Sequence, residues 1–298
     1  MPRVSGSFFE YAPSLFAFEY GDLQSENVLI FIGGLGTGFC SVPYIPELSR
    51  KLNDIGWSLI QIQITSSYTG WGTGSLARDS SEIERLVQYL KSKSTDCGSR
   101  KHVGIMGHST GCQDTMQFFT KEPRDDQFIP LEFGIIQAPV SDRYTALKVM
   151  PKDLYKDAMN KAIELIKQGK QDEIMPIKYS KLFFNVPISA YRWNSLFSVK
   201  GDDDYFSPDL SLEDLKSSFG KFDKPLLALY SGADEYVSES IDKEALMKKF
   251  EAATGSNWSK LSKVVPGGRH DWGPGSGPDS MNIGISTVIE FVKGLNLE

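Results

Sequence analysis

The pentapeptide Gly107-His108-Ser109-Thr110-Gly111 limits what this chain can fold into more than any other stretch. It follows an apolar run, His102-Val103-Gly104-Ile105-Met106, and leads into a segment, Thr110 to about Phe119, expected to be helical. A serine with glycines two positions to either side, set between a strand and a helix, has the pattern of a nucleophile elbow. Such a turn is tight enough to strain the backbone at the serine, so its neighbours must be small. The hydroxyl is then lifted to the top of a sheet, above a helix N-terminus whose backbone N–H groups point at it. The plainer alternative is a glycine-rich turn with a surface serine, so the partners elsewhere in the chain matter.

The rest of the chain supplies the sheet that such a turn needs. Phe8 to Tyr20, aromatic and broken by Pro13, reads as a hairpin at a sheet edge. Val28 to Ile32 is unbroken apolar sequence, as in a strand covered on both faces. The glycine-rich stretch Gly33 to Gly38 follows at once, but no register gives G-x-G-x-x-G and no Gly-Lys-Ser/Thr is present, so neither a dinucleotide loop nor a P-loop is expected. In a hydrolase this loop supplies one N–H of an oxyanion hole, and Leu35 is the candidate. Further elements are a helix over Tyr44 to Asn53, a strand over Trp57 to Ile64, a Ser/Thr/Gly-rich aromatic loop over Thr65 to Gly74, and a long amphipathic helix over Ser75 to Lys93. Lys91 to Arg100 reads as a polar link, and Glu132 to Gln137 as a strand. This alternation predicts an α/β-hydrolase fold: a mostly parallel sheet with helices on both faces.

The alternation stops at Ala138-Pro139 and resumes with the strand Pro225 to Tyr230. Residues 140–224 are therefore expected to form a cap inserted into a core made of 1–139 and 225–298. Within the cap, Pro151 to Gly169 patterns as a helix, and Ile174 to Asp209 is irregular and rich in aromatics that would cover the site or pack beneath the lid. Asp202-Asp203-Asp204 reads as a solvated turn. After the cap come a helix over Ile241 to Phe250, a strand over Lys260 to Val265 and a closing helix over Met281 to Lys293.

Nothing in the composition conflicts with a soluble enzyme. The net charge of -6 over 298 residues argues against a nucleic-acid groove. The longest apolar runs fall far short of a membrane span, and Met1 to Gly6 lacks the apolar core of a signal peptide. A cytoplasmic location follows as the expectation. Cys40, Cys97 and Cys112 are scattered and odd in number, so reduced thiols are expected, with neither a zinc site nor a disulfide framework. No metal and no cofactor is expected.

A serine hydroxyl needs a base within hydrogen-bond reach, and the base needs an orienting acid. Of the three histidines, His102 begins the strand before the elbow and His108 sits inside it with its ring expected to turn away. His270, in the glycine-rich loop Pro266 to Trp272, remains as the base. The acid belongs in the loop after the strand that resumes behind the cap, Ser231 to Val237, where Asp234 is the candidate and Glu235 the runner-up; Asp142 is a further alternative. The order Ser, Asp, His is that of α/β-hydrolases. The expected chemistry is nucleophilic attack by Ser109 on a carbonyl, with the oxyanion received by the backbone N–H groups of Leu35 and Thr110.

Gly33-Gly34-Leu35, the elbow, Asp203-Asp204-Tyr205-Phe206-Ser207-Pro208-Asp209-Leu210 and Asp234-Glu235-Tyr236-Val237 together resemble one fungal family. It is a family of α/β-hydrolases, long of unknown function, that includes intracellular siderophore esterases. The resemblance spans nearly the whole chain and implies hydrolysis of ester bonds in fusarinine-type ferric hydroxamate siderophores, with the iron belonging to the substrate. Gly34, His108, Arg143, Tyr191, Arg192 and Trp193, with Tyr144, are the candidates for substrate contact, on the expectation of an open, partly polar pocket. The alternatives are a general carboxylesterase, lipase or thioesterase for small acyl metabolites, and a binding protein that keeps the fold without turnover.

Overall fold

A computed structural model describes residues 3–21, 25–92, 99–121 and 127–297. Cys97 and most of the expected polar link lie outside these residues, as do Met1, Pro2 and Glu298. The chain begins with a hairpin of β1 (Gly6–Ala12) and β2 (Leu15–Tyr20). It continues through β3 (Asn27–Ile32), α1 (Ile45–Asn53), β4 (Trp57–Ile62), α2 (Leu76–Lys91), β5 (His102–His108), α3 (Gly111–Thr120) and β6 (Gly134–Gln137). Five helices follow: α4 (Asp142–Val149), α5 (Lys152–Lys167), α6 (Ile177–Ser180), α7 (Ala190–Phe197) and α8 (Leu212–Ser218). The last elements are β7 (Leu226–Ser231), α9 (Lys243–Thr254), β8 (Lys263–Val265) and α10 (Ser280–Gly294).

The strands form one sheet in the order β1-β2-β4-β3-β5-β6-β7-β8. The hairpin joins β4 antiparallel and every pairing from β4 to β8 is parallel. Register places Ile30 beside Ile60 on one side and Ile105 on the other. Successive residues of β3 point to opposite faces, and both faces are dry. Val28, Ile30 and Ile32 pack with Ile83, Leu86 and Leu90 of α2 and Met116 of α3. Leu29 and Phe31 pack with Ile45, Leu48 and Leu52 of α1 and Val288 and Phe291 of α10. Two covered faces explain why this strand reads as continuous apolar sequence rather than as an alternation. Ser75 starts α2 by accepting a hydrogen bond from the Arg78 N–H, which satisfies one of the free donors of the first turn.

The segment 140–224 does not pack as one unit. Ala146, Ala158, Ala162, Trp193 and Phe197 form a third apolar cluster together with Trp71 from the loop after β4. Phe206, Leu210, Leu215, Phe219 and Phe222 instead join the core beneath the sheet. The stretch read as irregular contains α7, whose start is capped by Ser189 accepting from the Arg192 N–H. Six of the eight α7 residues are buried, so no single polar face betrays a helix there. Asp202-Asp203-Asp204 is also not a solvated turn throughout. Asp202 is exposed, but Asp203 is buried against Arg192, and Asp204 accepts from the Lys200 N–H and lies 3.3 Å from Arg143.

Candidate active site

Strand β5 delivers Ser109 to the rim of the sheet at its C-terminal end, with φ of 57°. A Cβ on Gly107 would lie 2.0 Å from the Gly111 carbonyl oxygen, and a Cβ on Gly111 2.4 Å from that of Ile32. Only hydrogen fits at either position, so the elbow's glycines are dictated by close approach of strand, helix and β3. The loop after β3 comes as near: a Cβ on Gly34 would meet the Ser109 Cβ at 2.6 Å. Thr37 closes that loop, its N–H and hydroxyl both donating to the Gly34 carbonyl. Leu35 and Thr110 flank the serine, and neither backbone N–H donates to any acceptor among the described residues. Two free N–H groups beside a nucleophile can receive a developing oxyanion.

His270, from the loop after β8, meets Ser109 Oγ through Nε2 at 2.7 Å and Asp234 Oδ2 through Nδ1 at 2.8 Å. Asp234 is 4% exposed and its other oxygen accepts from the Tyr236 N–H at 3.0 Å. This arrangement fixes the imidazole tautomer that leaves Nε2 free to take the serine proton. Glu235 does different work: it accepts from the His270 backbone N–H at 2.9 Å and from Arg269 at 3.1 Å, and so holds the loop that carries the imidazole. Asp142 lies away from the imidazole, its side chain bonded to Gln113 at 2.5 Å. Of the three acids weighed from sequence, Asp234 is the one bonded to the imidazole.

Gln137, at the end of β6, ties the site together and had not been singled out from sequence. Its Oε1 accepts from Tyr44 at 2.9 Å and from His108 Nδ1 at 2.5 Å, and its Nε2 donates to the His270 carbonyl at 3.0 Å. The available signal is a lone glutamine ending a fully buried apolar strand, since such a group must find partners. His108 is fully buried. Burial, and then the neighbouring His270 ring 5.0 Å away, hold its imidazole down at about 3, against the pull of the Gln137 bond. It is neutral at physiological pH, with Nδ1 as donor.

Above Ser109 opens a cavity of about 610 Å³ bordered by Gly34, Leu35, His108, Ser109 and His270. Most of its wall is apolar, with Val42, Val149, Leu182, Phe183, Val186 and Phe197 among the contributors. The cap aromatics Phe183, Phe184 and Phe197 thus reach the cavity, as do Tyr68 and Trp71 from the loop after β4. Of the substrate-contact candidates, Gly34 and His108 border it and five do not. Arg143 is buried and pairs with Asp209. Tyr191 donates to Asp202. Arg192 is buried, donating to Asp203 at 2.6 Å and to the Trp71 carbonyl at 3.1 Å, and faces a separate cavity of about 20 Å³ beside Asp79, Asp114 and Thr110. Trp193 is fully enclosed in the third apolar cluster. Tyr144 also lies outside the large cavity, its ring 5.1 Å from the Arg143 guanidinium. The reason is general: a guanidinium in an inserted segment finds a carboxylate in the protein before it is left free for a ligand.

The family described as "Protein of unknown function (DUF1749)" matches residues 1–293. A UPF0613 protein of Schizosaccharomyces pombe is 38% identical over 311 residues, covering 97% of this chain and 96% of that protein. Fusarinine C esterase sidJ of Aspergillus fumigatus is 29% identical over 341 residues, covering 98% and 96%. Among solved structures, siderophore hydrolase EstB from Aspergillus fumigatus superposes with a TM-score of 0.86 at 28% identity, covering 99% of each chain.

Proposed function

This chain belongs to the DUF1749 family, and we propose that within it the chain is an esterase that opens ester bonds in fusarinine-type hydroxamate siderophores. The broader statement is firm: it is a carboxylic ester hydrolase with the α/β-hydrolase fold. The observation that carries the mechanism is His270 bridging Ser109 and Asp234 at 2.7 and 2.8 Å. In this reading Ser109 attacks the ester carbonyl while His270 accepts its proton, and Asp234 stabilises the imidazolium. The Leu35 and Thr110 N–H groups receive the oxyanion, each worth about 3–4 kcal/mol at comparable sites. His270 then protonates the departing alcohol, and a water that it deprotonates releases the acyl group. The helices α4 to α7 act as a cap whose Phe183, Phe184 and Phe197 close over the substrate.

The siderophore assignment is supported by fusarinine C esterase sidJ and siderophore hydrolase EstB, each similar over nearly the full chain. The iron would enter as part of the substrate, and its release would take place in the cytoplasm. No helix among the described residues is long and apolar enough to cross a membrane. A second reading, a general carboxylesterase for small acyl metabolites, is favoured by the mostly apolar wall of the cavity.

The test is mass spectrometry of products after incubation with ferric and iron-free fusarinine-type esters and with simple 4-nitrophenyl esters. The siderophore reading expects ring opening at a kcat/KM above that for the simple esters, abolished in Ser109→Ala. Turnover of the simple esters alone would leave the general esterase. Unchanged turnover by Ser109→Ala would overturn the mechanism.

A further inference from the structure

We propose that the active-site cavity selects esters bearing a positively charged nitrogen, and that Asp142 is the side chain that recognises it. The inference rests on the esterase reading and refines its substrate class. Three ionisable side chains other than histidine and tyrosine border the cavity, Asp142, Glu235 and Asp271; all are carboxylates, and no lysine or arginine is among the bordering residues described. One of the three already faces a cation, and another is tied to its own loop. Glu235 holds Arg269 and the His270 N–H, and Asp271 accepts from the Gly273 N–H at 2.8 Å. Asp142 has one side-chain partner, the neutral amide of Gln113.

The surroundings of Asp142 are short of positive charge. Asp203 and Asp204 are the acidic groups that bear on it. The nearby cations are spent: Arg192 on Asp203, Arg143 on Asp209 and Asp204. Burial first, then Asp203, push the Asp142 carboxyl up to about 8, with Arg192 opposing. A carboxyl so placed ionises readily once a cation is brought beside it. The mouth offers a second, independent feature. Tyr68, Phe184 and Tyr236 border the cavity and are 46%, 67% and 40% exposed. Aromatic faces and a carboxylate together are the means by which proteins hold alkylammonium groups. An anionic ester finds carboxyl groups and no cation among the bordering residues described.

Three 4-nitrophenyl esters of similar acyl length separate the possibilities: the neutral pentanoate, the cationic 4-(trimethylammonio)butanoate and the anionic hemiglutarate. At pH 8.5 the expected order of kcat/KM is cationic, neutral, anionic, with about ten-fold or more between the extremes, since charge complementarity acts on capture and on the bound complex alike. Asp142→Asn should lower the cationic-to-neutral ratio about ten-fold, and Asp142→Glu should largely retain it. An equal loss on all three esters in Asp142→Asn, an unchanged ratio, or a wild-type preference for the anionic ester would each overturn the proposal. Failure of the esterase reading has a different signature, absence of Ser109-dependent turnover on every ester, and would sink both.

Discussion

Two buried pairs, Asp234 with His270 and Asp203 with Arg192, are built alike and serve opposite ends. Each sets a nearly inaccessible carboxylate against a nitrogen base, at 2.8 and 2.6 Å. In the first, the far side of the base is left open, with Nε2 at 2.7 Å from Ser109 Oγ on the floor of the large cavity. In the second the base opens only on a cavity of about 20 Å³: Arg192 also donates to the Trp71 carbonyl, and Asp203 Oδ2 also accepts from Ser195 at 2.6 Å. A neutral imidazole can take a proton from a hydroxyl, whereas a guanidinium holds its protons and has no acceptor. Proximity of acid and base therefore does not mark a reactive site; a proton acceptor beside a hydroxyl, opening on a cavity of about 610 Å³ rather than about 20 Å³, does. The closed pair ties α7 to the stretch that follows it, and Arg192 alone reaches the loop after β4, through the Trp71 carbonyl.

The comparison is broken most forcefully at the open pair. Asp234→Asn should lower kcat on an activated ester by about 10⁴-fold, through loss of the correct imidazole tautomer, with the urea midpoint little altered. A loss of less than ten-fold would show that Asp234 does not govern the imidazole. The closed pair should respond in the other currency. Asp203→Ala leaves the Arg192 charge buried without its partner and should cost about 3–5 kcal/mol of stability, measured by urea unfolding at neutral pH. A stability change under 1 kcal/mol would mean that the pair does not stabilise the fold.

His108 sharpens the contrast, since it is buried, ionisable and in neither pair. Its pKa is lowered to about 3 in the fold, below the ordinary histidine value, so the unfolded chain binds the proton first as pH falls. The stability it contributes is present above the unfolded value and is lost on acidification toward the folded one. Between pH 7 and pH 5 this amounts to about 2 kcal/mol. Replacing His108 by Asn should remove that part of the acid slope, seen as a smaller drop in the urea-derived free energy than in wild type. An identical slope would place the acid sensitivity elsewhere.

What could be read without coordinates follows the range of the interactions involved. The elbow is legible because its constraint is local: glycines two positions either side of a serine, a strand before and a helix after. That His270 and Asp234 meet at Ser109 could be anticipated because few histidines exist and such a fold brings these two loops to one rim. The sheet and its flanking helices follow from strands buried on both faces and from helices with a single apolar stripe, as in α2. The cap resisted. Helix α7 hides because it is buried nearly all round. Arg143, Arg192 and Trp193 looked like contacts for a polar substrate, but their partners, Asp209, Asp203 and the apolar cluster around Phe197, are set by tertiary placement that no spacing reveals. Gln137 was overlooked for the same reason, since its partners come from the residue before α1, from β5, from β7 and from the base loop.

Ser109 sits in the left-handed region of backbone space, where a side chain is crowded and glycine is at ease. The chain would fold more comfortably with glycine at this position. Selection of variants for heat resistance alone would thus tend to erode this position first, and a hardened descendant of this protein should be screened for turnover at every round.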